Sequence, residues 1–124
     1  MADMTAALEY TKQAEDFLER AWSYLSSDEL HQACEKGWGA ASHMAKAVAE
    51  AHDMEYEHHA QFRNVLRRAE KLTGNPMMGY WRAKANELHT EFYLRKTLLD
   101  PNVISESLGD IRSMLDGMGP LVPE

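Results

Sequence analysis

The sequence predicts an all-α protein, an antiparallel up-down four-helix bundle with an additional C-terminal helix. Three observations lead there. Apolar residues recur at the three-and-four spacing of a helix face through most of the chain, no segment alternates with the period of two that a strand needs, and the breaks between apolar stripes are short and rich in cap and turn residues. At 124 residues the chain makes one domain. A core of that size forms without disulfide or metal staples. Residues 1–118 are expected to form the bundle, and residues 119–124 a frayed tail.

Helix one is expected from Leu8 to Leu25, with Leu8, Ala14, Phe17, Leu18, Ala21, Trp22 and Leu25 inward. Ser26, followed three residues later by Glu29, fits a capping box that restarts the chain. Helix two then runs from about Ser27 to His52 with a small-sided stripe of Leu30, Ala33, Gly37, Ala41, Met44 and Val48. Gly37 and Gly39 flank Trp38 in mid-helix, where each glycine costs ~1 kcal/mol relative to alanine. That cost predicts close approach by a neighbouring helix, in this chain or in a second copy. The polar residues Asp53 to Glu57 mark a turn. Helix three buries Phe62, Val65, Leu66, Ala69 and Leu72 and turns Arg63, Arg67, Arg68 and Lys71 outward. Gly74-Asn75-Pro76 stops it. Helix four spans about Met77 to Leu99, with Trp81, Ala85, Leu88, Phe92 and Leu99 inward. Asp100-Pro101 opens helix five, striped by Ile104, Leu108, Ile111 and Leu115, and Gly117 and Gly119-Pro120 close it.

Twenty acids against thirteen bases give a formal charge of −7. That balance excludes nonspecific adhesion of the whole surface to nucleic acid or anionic membrane. The charge is uneven, however. Residues 1–57 carry four bases and twelve acids, residues 58–99 eight and three, and residues 100–124 one and five. A third of the chain is thus basic within an acidic protein. The single cysteine, Cys34, cannot form an internal disulfide and is read as a small buried residue in a reducing, cytoplasmic protein. No stretch of 18 apolar residues and no signal peptide is present, so no membrane association is expected.

Six histidines raise the question of a metal. Di-iron bundles use two Glu-x-x-His motifs plus two inward glutamates. Glu55-Tyr56-Glu57-His58 is the one such motif, and it falls at a turn, where His58 and His59 are read as exposed. No metal and no cofactor is therefore expected, and no phosphate-cradling glycine loop or nucleophile elbow is found.

Helix four carries the most distinctive polar set. Arg82 and His89 are seven residues apart, two turns, and so are offset by only about 20° around the axis. Asn86 lies between them on the same side. A guanidinium fork suits a phosphate, and an imidazole exchanges protons near neutral pH. Together they can cleave RNA without a metal, with His89 as the acid or base at a 2′-hydroxyl and Arg82 neutralising charge on phosphorus.

Two segments carry a resemblance. Gln32-Ala33-Cys34-Glu35-Lys36-Gly37-Trp38-Gly39-Ala40-Ala41 on helix two and Ala85-Asn86-Glu87-Leu88-His89-Thr90-Glu91-Phe92-Tyr93 on helix four resemble the archaeal PaREP family, of the HEPN (higher eukaryotes and prokaryotes nucleotide-binding) superfamily. The resemblance implies a HEPN-like bundle that usually dimerises. In many members it also implies a metal-independent ribonuclease site, an Arg followed after four to six residues by a His. Arg82-x6-His89 meets the loose form of that pattern; Ala83 stands where active members usually carry a polar residue.

Two functions from different classes follow. The first is a binding module for a nucleotide, RNA or a protein partner, in the setting of a toxin–antitoxin or defence system. The alternative is a metal-independent RNA endonuclease using Arg82 and His89, with Asn86 beside them, at a dimer cleft. Arg63, Arg67, Arg68 and Lys71 would then guide the RNA backbone. The acidic net charge and Ala83 favour the binding module. A homodimer is expected through the small-residue or aromatic faces of helices two and four, with Tyr80, Trp81, Phe92 and Tyr93 as the surplus aromatics.

Overall fold

A computed structural model describes residues 2–93 and 100–123, with the side chains of 91–93 outside the description. Five helices form in order: α1 (Met4–Ser26), α2 (Leu30–Ala51), α3 (His59–Thr73), α4 (Met77–Tyr93) and α5 (Pro101–Met118). There is no strand among the described residues. The architecture is the expected helical bundle with a C-terminal helix. The helix α2 is its axis and packs against each of the other four. The C-terminal α5 lies against α1, α2 and α4, while the shorter α3 rests on α2 and α4. The Asp3 N–H donates to the Glu50 carbonyl at 3.0 Å, which ties the start of α1 to the end of α2 and sets the two antiparallel.

Small side chains explain why α2 is central. Ala33, Cys34, Gly37, Ala40, Ala41, Ala45, Ala47 and Ala49 are all buried on it. A Cβ at Gly37 would lie 2.7 Å from Leu108 Cδ2 and 3.0 Å from Leu88 Cδ1. Both α4 and α5 therefore seat on α2 at that one residue. A Cβ at Gly39 would lie 3.4 Å from the Phe17 ring on α1. The close approach expected of this glycine pair is thus made inside the chain.

The caps show how local sequence ends each helix. Asp3 accepts from the Ala6 N–H at 3.0 Å, and Asp100 from the Asn102 N–H at 2.8 Å. Gly74 ends α3 in the left-handed conformation, φ 69°. The Arg112 guanidinium grips Glu15 through two bonds, of 2.6 and 2.7 Å, and clamps α5 to α1.

Several expectations need correction. Ser26 is the last residue of α1, and the α2 N-cap is Glu29, whose side chain makes no capping bond, so the Ser26/Glu29 capping box does not form. The chain reverses there instead through Asp28, at φ 60°. Leu8, Trp22 and Leu72 are exposed, because the buried stripes are narrower than the apolar spacing implied. Gly117 lies inside α5, where it makes room for the Trp81 indole: a Cβ there would fall 2.7 Å from its Cη2 and Cζ3 atoms. The expected frayed tail is packed at Leu121 and Val122, while Pro120 and Pro123 are exposed. Gly119–Leu121 form a 3-10 turn, Leu121 and Val122 are only 8% and 5% exposed, and the His52 Nε2–H donates to the Leu121 carbonyl at 2.8 Å. The inward roles expected for Phe92 and Leu99 and the surface role expected for Tyr93 lie outside the described residues.

Candidate functional site

The polar residues of α3 and α4 meet in one open cleft of about 300 Å³, lined by His59, Ala60, Phe62, Arg63, Arg82 and Asn86. Each helix contributes a pair one turn apart, His59 with Arg63 and Arg82 with Asn86. The start of α3 is fixed by Gln61, whose side-chain oxygen accepts the N–H of His58 at 3.0 Å and that of Glu57. That capping sets where His59 and Arg63 fall around the helix. On α4, buried Trp81, Ala85 and Leu88 seat the adjoining face and leave Arg82 half-buried and Asn86 exposed at the cleft.

Behind the cleft is a cluster of rings. Trp38 of α2 packs against His59, Phe62 and His89, with ring centres 4.7, 5.0 and 4.6 Å away. His59 and His89 stack at 4.6 Å, and the rings of His59 and Phe62 lie within 4° of parallel. Tyr56 extends the cluster to the α2–α3 turn, where its hydroxyl is 3.0 Å from that of Ser42. Burial raises the Tyr56 pKa above the ordinary phenol range. Burial, and then the neighbouring charge of His59, lower the His89 pKa below the ordinary imidazole value. His89 is therefore held towards its neutral form.

Electrostatically the cleft is cationic. Neither Arg63 nor Arg82 makes an ion pair among the described residues. Two guanidiniums on facing helices thus share one opening without a carboxylate to neutralise them. No group of histidine, cysteine and carboxylate side chains that could hold a metal ion is found among the described residues.

The structure brings together part of the predicted set. Arg82, Asn86 and Arg63 share the cleft. His89 does not line it and sits against His59 and Trp38 instead. Arg67, Arg68 and Lys71 are exposed on α3 but outside this cleft. His59 departs most from expectation. It is exposed, as a turn residue should be, yet it heads α3 and faces Arg82 and Asn86 across the cleft. Its four-residue spacing from Arg63 was the available signal. Trp38 and Phe62 were legible as helix-face residues but not as the wall of a site.

A second cleft, on α1 and α2, is lined by Gln13, Asp16, Phe17, Arg20 and His43. His43 Nδ1 donates to the Gly39 carbonyl at 2.9 Å, and burial lowers its pKa.

The model of the archaeal PaREP1/PaREP8 family matches residues 9–115, which span all five helices apart from short ends. The chain belongs to the archaeal PaREP1/PaREP8 family. No curated protein matches it. The two segments that carry the resemblance on α2 and α4 both fall inside the matched region, and so does the whole of the α3–α4 cleft of this PaREP1/PaREP8 protein. None of its helices, among the described residues, is long and apolar enough to cross a membrane.

Proposed function

We propose that this PaREP1/PaREP8 protein is a HEPN-like binding module of the cytoplasm that takes a nucleotide or RNA in the α3–α4 cleft. One observation carries the reading: Arg63 and Arg82, without ion-pair partners among the described residues, line the same opening as Asn86 and two rings, His59 and Phe62. Guanidinium forks hold phosphate, a carboxamide reads a base or sugar edge, and the exposed His59 ring can stack a base. The reading includes a homodimer, whose interface would use the face of α4 that presents exposed Tyr80.

The endonuclease alternative keeps one supporting observation. His89 stacks on His59, which lines the cleft, and its lowered pKa favours the neutral form that a general base needs. Its position behind His59 favours binding over cleavage. Equilibrium binding of a labelled oligoribonucleotide and of AMP, with RNA cleavage measured in chelator on the same samples, separates the readings. Binding that Arg82→Ala abolishes, without cleavage, is expected. Chelator-resistant cleavage lost in His89→Ala would establish the nuclease instead, and failure to bind either probe would remove both readings.

A further inference from the structure

We infer that the ligand of the α3–α4 cleft is a mononucleotide ending in a phosphate monoester rather than an RNA strand laid across the surface. This rests on the reading above and names the substrate class of the same site.

Two features separate the two ligands. The first is size. An open cleft of about 300 Å³ between two helices is at the small end for ligand sites and has room for one small molecule. The second is valence at the anion. Arg63 and Arg82 approach from different helices, so one phosphate between them is offered two forks. A terminal phosphate has three free oxygens and nearly two negative charges near neutral pH, so it can accept from both forks. A diester inside a strand has two free oxygens and one charge, and an ester arm must leave on each side.

The cleft lies in the basic third of the chain, where residues 58–99 carry eight bases against three acids. A single phosphate inside the cleft lies within the ~8 Å Debye length of the two guanidiniums and is governed by them. The base then rests on the exposed ring of His59, which Trp38 supports from 4.7 Å away.

The test is calorimetric titration of the full chain, at neutral pH and low salt, with AMP, adenosine and the dinucleoside phosphodiester adenylyl-adenosine. AMP should bind at least ~10-fold more tightly than either of the others, the difference expected of one charge-assisted contact. Arg63→Ala should erase the preference for AMP over the diester. Arg20→Ala, an equal charge change outside this cleft, should keep it. Diester binding as tight as AMP, or a preference that survives Arg63→Ala, would overturn the inference while leaving a nucleotide- or RNA-binding cleft in place. Failure of all three probes to bind would overturn both.

Discussion

The imidazoles of His59 and His89 lie against each other with ring centres 4.6 Å apart and planes inclined by 26°. One comes from the start of α3 and the other from the middle of α4, so the pair joins the two walls of the cleft. Protonating both places two like charges in contact. Burial first, and the charge of His59 second, lower the His89 pKa in the folded protein. The stability this gives is present above the ordinary imidazole pKa and is lost as pH falls through the lowered value. His43, lowered chiefly by burial, acts with the same sign. The melting temperature should therefore drop between about pH 7.5 and about pH 5.5, and His89→Gln should flatten part of that drop. Parallel curves for the two proteins would show that the pair is not coupled to folding.

Glycines in α5 test the packing. Nothing lies within 4 Å of a Cβ built at Gly109, whereas one at Gly117 would strike the Trp81 indole at 2.7 Å. The helix-propensity gain is the same ~1 kcal/mol at each. Gly109→Ala should therefore stabilise the bundle by roughly that amount. At Gly117 overpacking costs ~1–3 kcal/mol against a rigid ring, so Gly117→Ala should be neutral to destabilising. Chemical denaturation of both variants reads the difference in sign.

The Arg112–Glu15 clamp should matter less than its geometry invites. The two side chains are 40% and 46% exposed, and solvent screens such pairs. Glu15→Gln should cost less than ~1 kcal/mol at neutral pH. Arg112 holds the Glu15 carboxyl below its ordinary pKa, so that contribution is present above the ordinary carboxylate value and fades as pH falls through the lowered one. Denaturation midpoints of wild type and variant should converge in acid.

Arg82→Lys should weaken nucleotide binding nearly as much as Arg82→Ala, because a point charge does not replace a two-pronged contact. Competition with AMP measures this directly. Full retention of affinity in the lysine variant would mean that charge alone, without the fork, serves the site.

The fold was largely legible because its signals are local. Apolar spacing predicts helices, and Asp100-Pro101 and Gly74 place two boundaries where the structure has them. The start of α2 was misplaced because Asp28 in a left-handed turn competes with the Ser26/Glu29 pattern and wins. The packed tail was missed because its partner, His52, is 69 residues away in sequence. Half of the cleft, Arg82 and Asn86, was visible as one face of one helix. The other half requires knowing that α3 lies against α4, which no periodicity within a helix reveals. The same limit hid that His59, and not His89, lines the opening.

The most direct test of the cleft is a two-dimensional proton–nitrogen NMR titration of the full chain with AMP, following backbone amides and the arginine Nε groups. Binding at the α3–α4 cleft predicts that the largest shifts fall on Ala60, Arg63, Arg82 and Asn86, with both arginine Nε resonances moving together. Shifts confined to Gln13, Asp16, Arg20 and His43 would place the ligand in the α1–α2 cleft instead, and with an unmoved Arg63 and Arg82 would contradict the account.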